Sequence, residues 1–174
     1  MISLIAAVGE GMELGYKGDL VWRLSVDLRR FRELTSGKTI LMGHKTFTSL
    51  PSLLPGRKHV VLVRNPEEFS KEVAAKPFRG DSSARPEVVA IRELFEFVDK
   101  YKGVPEELFV IGGGSIYKQL ISEADKLYLT EIHASFPEAD VYFPSFDKAD
   151  FRREVVGKGY EDDLAYDFVV YTRK

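Results

Sequence analysis

Short apolar segments alternate along the chain with segments whose apolar residues recur at the spacing of an α-helix. The apolar segments predict strands at residues 2–8, 39–42, 59–63, 88–91, 107–111, 127–132 and 165–172. The intervening segments predict helices at residues 26–35, 45–50, 67–76, 93–102 and 115–121. The segment Val60-Val61-Leu62-Val63 is apolar without alternation, which is typical of a strand buried on both faces of a parallel sheet. This order of elements predicts an α/β fold with a mostly parallel, twisted central sheet flanked by helices.

The chain after Leu127 has a different pattern, because strand-like segments follow one another without a long helix between them. Residues 151–156 and 165–172 flank a glycine-containing acidic stretch, 157–163, which predicts an antiparallel C-terminal hairpin at the sheet edge. Residues 78–87 have the composition of a surface loop, and the strand pattern resumes directly after them. We therefore expect a single domain over residues 1–174.

The composition argues against several classes of protein. The 174 residues carry 25 Lys and Arg against 27 Asp and Glu, and the net charge of −2 argues against a nucleic-acid-binding protein with a dominant basic face. The absence of cysteine excludes disulfides and thiolate metal sites, and the three histidines lie too far apart for a metal-binding motif. No apolar segment approaches the ~20 residues that a membrane span needs. We expect a cytoplasmic monomer without a bound metal.

Asp27 falls within the apolar face of the predicted helix 26–35, a face formed by Leu24, Leu28, Phe31 and Leu34. A carboxylate among apolar side chains must be neutralised, paired or used in chemistry. Alternatively, an acid in the first helical turn only complements the helix dipole. The helix alone leaves both interpretations open. Ser25, directly before the helix, is the expected N-cap.

Two glycine-containing corners follow predicted strands and open predicted helices. Gly43 begins the sequence Gly-His-Lys-Thr, and Gly112, Gly113 and Gly114 precede the helix at 115–121. Glycine lets backbone amides approach an anion at a helix N-terminus, so the two corners could hold one ligand with two phosphate groups, such as a dinucleotide. Otherwise they are two independent turns.

Two loops are further candidates for function. A Pro-Gly turn precedes Arg57, whose guanidinium could bind a carboxylate or simply be solvated. A glycine-punctuated loop at residues 15–20 precedes Trp22, the single tryptophan, and is either a mobile lid or an ordinary surface loop.

Taken together and in order, these features resemble dihydrofolate reductase. The motifs that carry the resemblance are residues 1–7, Gly15 with Trp22, Asp27-Leu28 with Phe31, Ile40 and Met42-Gly43 with Thr46, Leu54-Pro55-Gly56-Arg57, Val110-Ile111-Gly112-Gly113-Gly114 with Tyr117, and Leu127-Tyr128-Leu129-Thr130. They extend to about residue 143, and the resemblance continues more loosely to the end. It assigns residues 1–174 to one domain, in which residues 65–87 form a surface region longer than in short bacterial members.

The resemblance implies an NADPH-dependent oxidoreductase that reduces 7,8-dihydrofolate to 5,6,7,8-tetrahydrofolate and so supplies one-carbon metabolism. By the same resemblance Asp27, Trp22 and Thr130 are catalytic residues, and Asp27 holds the pterin ring. Arg57 would bind the α-carboxylate of the glutamate tail. The apolar walls of the substrate site would be Ile5, Leu28, Phe31, Leu50, Leu54 and Ile111.

A site for NADPH is implied in the same way. Residues near the nicotinamide would be Ala7, Leu14, Gly15, Ser49 and Tyr117. The pyrophosphate would be held by Gly43, His44, Lys45 and Thr46, and by Gly113, Gly114, Ser115 and Ile116. Arg64 would face the adenosine 2′-phosphate, and the further cofactor-binding residues would be Leu62, Val63 and Gly112. In the family the peptide bond between Gly112 and Gly113 is cis. His44 and Val63 depart from the residues usual in the family, and both departures weaken the expected preference for NADPH over NADH.

The sequence is also compatible with two other functions. A pyrimidine reductase of riboflavin synthesis resembles this family and uses NADPH, but its substrate has no glutamate tail for Arg57 to bind. A non-catalytic nucleotide-binding or RNA-binding module would not need Asp27, Trp22 and the glycine run together. These features favour reduction of dihydrofolate.

Overall fold

The computed structural model describes residues 1–75 and 85–174, which form two compact units. The first unit comprises Met1–Ile2 and Thr35–Gly113, and the second comprises Ser3–Leu34 and Gly114–Lys174. Residues 78–84 of the predicted loop and Lys76 of the predicted helix 67–76 lie outside the described residues.

The strands within the described ranges are β1 (Ile2–Val8), β2 (Glu13–Tyr16), β3 (Asp19–Leu20), β4 (Thr39–Gly43), β5 (Lys58–Val63), β6 (Glu87–Ala90), β7 (Leu108–Gly112), β8 (Lys126–Ile132), β9 (Val141–Tyr142), β10 (Phe151–Glu161) and β11 (Leu164–Arg173). The α-helices are α1 (Ser25–Thr35), α2 (His44–Ser49), α3 (Pro66–Ala75), α4 (Leu94–Asp99) and α5 (Gly114–Leu120). The predicted fold class is confirmed: the protein is α/β, with a mostly parallel central sheet, flanking helices and a C-terminal antiparallel hairpin.

The first unit contains four parallel strands in the order β7-β4-β5-β6. Their central residues have no exposed surface, which explains the apolar runs without alternation; they include Ile40, Leu41, Met42, Val60, Val61 and Val110. The predicted helix 93–102 is shorter in the structure, because a 3₁₀ turn at Ile91–Glu93 precedes α4 and the helix ends at Asp99.

The second unit contains the order β10-β11-β8-β1. Strands β1 and β8 are parallel, whereas β11 is antiparallel to both β8 and β10. The small sheet β3-β2-β9 also belongs to this unit. The sequence did not predict its strands, because segments of two to four residues show no periodicity.

The C-terminal hairpin corrects one prediction. Residues 157–163 were expected to form the turn, but β10 continues to Glu161 and only Asp162 and Asp163 turn the chain, with φ values of 50° and 62°. The glycines in this stretch serve packing within the strand. A Cβ on Gly159 would lie 2.1 Å from the Tyr166 hydroxyl oxygen, so only glycine leaves room for that ring.

The start of α1 is held by the same hairpin. The Glu161 carboxylate accepts hydrogen bonds from the Ser25 backbone N–H and hydroxyl, both at 2.6 Å, and from the Val26 N–H at 3.3 Å. These bonds, that of the Ser25 hydroxyl above all, lower the pKa of Glu161. Ser25 is therefore inside the helix rather than its N-cap, and a carboxylate distant in sequence satisfies the first helical amides.

His59 ties together a turn of the first unit. Its Nε2 accepts a hydrogen bond from the Leu54 N–H at 2.9 Å, and its Nδ1 donates to the Arg57 carbonyl at 3.1 Å. The residue is 3% exposed. Burial, together with the charge of Arg57, lowers the pKa of His59 to about 4, although the bond to the Arg57 carbonyl opposes the shift. The neutral imidazole is the form that makes both bonds.

We predict that His59 makes folding sensitive to mild acid. Its folded-state pKa of about 4 lies below the ordinary value of 6.5, so its contribution is complete above pH 6.5 and is lost as the pH falls toward 4. The loss amounts to roughly 3 kcal/mol, since each pKa unit is worth about 1.4 kcal/mol. Urea unfolding of the wild type and His59→Gln at several pH values measures it. The difference in unfolding free energy between the two proteins should shrink by that amount from pH 7 to pH 4, and a difference independent of pH would contradict the assignment.

Candidate active site

Asp27 and Thr130 form the central contact of the second unit. The Thr130 hydroxyl on β8 donates a hydrogen bond to Asp27 Oδ1 in the first turn of α1, at 2.5 Å. Thr130 is buried, and burial raises the pKa of Asp27 above its ordinary value. The hydrogen bond from Thr130 and the charge of Arg30 oppose that rise without cancelling it. The carboxylate thus has a partner on another element, which a dipole-complementing surface acid does not need.

The apolar face that surrounds Asp27 is buried only in part. Leu24 is 2% exposed, whereas Leu28 is 61% exposed. Phe31 and Leu34 are intermediate. A helix that leaves a large apolar side chain open beside a half-buried acid offers a surface to an apolar ligand rather than closing it into the core.

Arg30 and Tyr117 are two further ionisable residues that interact with Asp27. The Arg30 guanidinium lies 4.5 Å from the centre of the Phe168 ring on β11, in a cation–π arrangement. Burial lowers the pKa of Arg30, whereas the nearby charge of Asp27 raises it. The buried Tyr117 hydroxyl on α5 donates to the Ile5 carbonyl at 2.6 Å, and burial, with a smaller effect of Asp27, raises the pKa of Tyr117. Tyr117 is therefore a neutral donor.

Trp22 anchors the loop that the sequence singled out as a candidate lid. Its Nε1 donates to the Glu13 carbonyl at 3.0 Å, and its ring packs in a cluster with Leu24, Ile132 and Tyr166. The loop itself forms β2 and β3. Gly15 pairs with Leu20 across these strands, and Leu14 is buried. Ala7, on β1, is paired with Thr130 of β8.

The two glycine corners come together within the first unit. Strand β4 ends at Gly43 and β7 ends at Gly112, and these strands are hydrogen-bonded neighbours. A Cβ on Gly113 would lie 3.6 Å from the Thr46 hydroxyl oxygen, so the two turns are adjacent rather than independent. The peptide bond between Gly112 and Gly113 is cis, as the resemblance implied. Gly114, Ser115 and Ile116 follow as the first residues of α5.

Cationic residues of the first unit lie where parallel strands end. A pocket of about 410 Å³ is lined by Arg64, Asn65, Pro66, Glu67 and Arg92. Arg64 follows β5, and Arg92 follows β6, the parallel neighbour of β5. Arg92 was not among the predicted site residues; its position just after a predicted strand was the available signal, because parallel strands end at the same edge.

The other residues that were predicted to contact the cofactor phosphates lie in different environments. His44 Nε2 lies 2.8 Å from the Glu72 carboxylate, and its ring packs edge-on against Phe69. Lys45 is exposed in the first turn of α2. Leu62 and Val63 are each 3% exposed, so neither side chain presents a surface to a ligand.

Arg57 is held by neighbours in its own unit. Its Nε donates to the Pro55 carbonyl at 3.0 Å, and its Nη1 donates to the Thr35 hydroxyl at 3.2 Å. Both bonds fix the guanidinium next to the turn that carries it. Ser49 donates to the Thr46 carbonyl at 2.6 Å. The predicted wall residues that are partly exposed are Leu50, Leu54 and Ile111 in the first unit, and Ile5 and Phe31 in the second.

The described residues show neither a metal-binding cluster nor a membrane-crossing helix. Within residues 1–75 and 85–174, no three His, Asp or Glu side chains lie together in a way that could hold a metal ion. No helix in these ranges has the length and apolar character that crossing a membrane requires.

Comparison with known proteins identifies the family. A family model described as dihydrofolate reductase matches residues 1–173. The dihydrofolate reductase of Bacillus subtilis is 36% identical over 177 residues, covering 100% of this chain and 95% of that protein. That of Haemophilus influenzae is 33% identical over 175 residues, covering 99% and 98%. A structure of the Enterococcus faecalis dihydrofolate reductase complexed with NADP(H) and RAB-propyl superimposes with a TM-score of 0.79 at 29% identity, covering 100% of this chain and 96% of that one. The chain belongs to the dihydrofolate reductase family.

Proposed function

We propose that this protein catalyses the reduction of 7,8-dihydrofolate to 5,6,7,8-tetrahydrofolate by NADPH. One observation carries the proposal: a half-buried carboxylate, Asp27, is held by the Thr130 hydroxyl in a chain of this family. The reaction adds a hydride to one ring carbon and a proton to the adjacent ring nitrogen. NADPH, when bound, supplies the hydride.

Asp27 provides the electrostatic part of the chemistry. Its carboxylate can accept hydrogen bonds from the exocyclic amino group and a ring N–H of the pterin, while Thr130 fixes the carboxylate itself. A negative charge removed from water favours a positively charged ring, and this makes protonation of the ring nitrogen easier. A carboxylate that holds the far edge of the ring is out of reach of that nitrogen, so water delivers the proton. Trp22, anchored on the Glu13 carbonyl, holds the loop that limits access of bulk water.

The glycine corners and the cationic pocket fit a dinucleotide phosphate. Gly113 places no side chain beside Thr46, which favours the approach of a phosphate to the backbone N–H groups there. Arg64 and Arg92 line a pocket suited to a dianionic phosphate, to which arginine donates paired hydrogen bonds. Lys45 adds charge at the Gly43 corner, whereas His44 is engaged by Glu72. We therefore assign the 2′-phosphate to Arg64 with Arg92 and Lys45.

Arg57 and the partly exposed apolar residues are assigned to the two parts of the substrate, its glutamate tail and its ring. We assign Arg57 to the α-carboxylate of the glutamate tail, since its guanidinium is already fixed by Pro55 and Thr35. The apolar walls are assigned to Ile5, Leu28, Phe31, Leu50, Leu54 and Ile111. We further propose that residues 1–174 act as one functional domain, as a cytoplasmic monomer that does not bind nucleic acid, in keeping with the net charge of −2.

The reductase activity and the role of Asp27 are tested together. The wild type should oxidise NADPH in the presence of dihydrofolate, followed as the loss of absorbance of the reduced nicotinamide. Asp27→Asn should lower kcat on the order of 10²-fold or more at pH 7, because the amide cannot favour a protonated ring. The defect should shrink as the pH falls, since acid protonates dihydrofolate in solution.

Stability provides an independent readout for the same variant. Removing a carboxylate whose pKa is raised by burial relieves a destabilising charge, so Asp27→Asn should unfold at a temperature equal to or above that of the wild type at pH 7. Glu33→Gln, which removes an exposed charge from the same helix, is the matched control and should retain activity. An equal loss of activity at every pH would mean that Asp27 only positions the substrate, and a wild type inactive on dihydrofolate would overturn the proposed function.

Cofactor preference should depend on the cations of the first unit. The double variant Lys45→Gln/Arg64→Gln is expected to raise KM for NADPH on the order of 10²-fold and to change KM for NADH little, since each charge-assisted phosphate contact is worth about 1.5–3 kcal/mol. Arg92→Gln alone should give a smaller change of the same kind. The control Lys38→Gln/Lys148→Gln removes the same charge from exposed positions. An unchanged ratio of the two KM values in the first double variant would refute the assignment.

A further inference from the structure

The turn at residues 54–57 is closed by the imidazole of His59 rather than by backbone bonds alone. One ring nitrogen accepts from the Leu54 N–H at 2.9 Å, at the start of the turn, and the other donates to the Arg57 carbonyl at 3.1 Å, at its end. His59 lies on β5, whose central residues are fully buried, so the ring is attached to the buried core of the unit.

Pro55 connects the turn that His59 holds to the Arg57 side chain. The Arg57 Nε donates to the Pro55 carbonyl at 3.0 Å, and Pro55 lies between the two residues whose backbone groups His59 holds. A movement of the turn therefore displaces the carbonyl that orients the guanidinium. A further hydrogen bond joins Nη1 to the Thr35 hydroxyl at 3.2 Å, so the Pro55 carbonyl and the Thr35 hydroxyl together set the direction of the guanidinium.

We infer that His59 is a positioning residue that determines how the 54–57 turn presents Arg57, and hence how strongly the enzyme selects substrates that carry the glutamate tail. This inference rests on the proposed function, which assigns Arg57 to the tail carboxylate. The alternative is that the buried imidazole only stabilises the fold. A purely structural role changes stability and the fraction of active protein, whereas a positioning role changes the discrimination between substrates with and without the tail.

The test compares two substrates that differ only in the glutamate: 7,8-dihydrofolate and 7,8-dihydropteroate. His59→Leu removes both hydrogen bonds and keeps an apolar side chain. We expect KM for dihydrofolate to rise about tenfold, with kcat and KM for dihydropteroate within about twofold of the wild type, because a misplaced arginine affects only the substrate that has the carboxylate.

Two conservative variants retain one bond each and keep the test valid if His59→Leu folds poorly. The amide of Asn reaches the position of Nδ1 and can donate to the Arg57 carbonyl, whereas the oxygen of Gln reaches the position of Nε2 and can accept from the Leu54 N–H. His59→Asn and His59→Gln should therefore show KM values for dihydrofolate between those of the wild type and His59→Leu.

A double-mutant cycle identifies the route of the effect. Arg57→Gln should raise KM for dihydrofolate, and adding His59→Leu to it should cause no further rise, because His59 acts through Arg57. Additive effects, or a fall in activity equal for both substrates, would overturn the inference. An Arg57→Gln variant with unchanged KM would overturn it as well, while the activity of the wild type on dihydrofolate would still support the proposed function.

If the wild type does not turn over dihydrofolate, the same comparison can be made by binding. Trp22 fluorescence titrations with folate and pteroate then give dissociation constants for the ligands with and without the glutamate tail. Equal effects of His59→Leu on both ligands would again overturn the inference.

Discussion

A half-buried carboxylate, Asp27, with a hydroxyl as its hydrogen-bond partner is the constraint on which the site depends. Removing a carboxylate from water is unfavourable unless it is paired or hydrogen-bonded. Here the Thr130 hydroxyl and the charge of Arg30 offset only part of that penalty, so the pKa of Asp27 stays raised. A full salt bridge would lower the pKa of Asp27 further, but it would also neutralise the charge that a protonated pterin needs.

The second unit holds this carboxylate from several directions. Pairing of β1 with β8 fixes Thr130, and the Glu161 carboxylate from the C-terminal hairpin holds the first turn of α1. Arg30 is fixed by its packing on Phe168 of the same hairpin. The hairpin, which has no residue among the assigned contacts with substrate or cofactor, therefore determines the position and the electrostatic environment of the acid. In the first unit, His59 and Pro55 have a comparable relation to Arg57.

The sequence predicted those elements of the structure that a local pattern of residues determines. The buried strands, the helix that carries Asp27 and the two glycine corners have periodicities or residue types that admit few alternatives, and each was found within a few residues of its predicted position. Gly157 and Gly159 were misassigned to a turn, because glycine signals either a turn or close packing, and only the opposite strand, with Phe168 at Gly157 and Tyr166 at Gly159, decides between them. The roles of Glu161 and His59 were also not predicted, because each role depends on atoms that folding brings together. Arg92 was missed because a single arginine after a short strand has no distinguishing pattern until the neighbouring strand is placed.

Asp27 is a carboxylate that the fold keeps partly desolvated. A ¹³C NMR titration of the side-chain carboxyl carbons, with Asp27→Asn used to assign the resonance, measures its pKa directly. We predict that this carboxyl titrates above the ordinary value of 3.8, and that Thr130→Val raises the pKa further because the hydroxyl stabilises the charged form. A pKa at or below 3.8, unchanged by Thr130→Val, would show instead that Asp27 is a solvated acid.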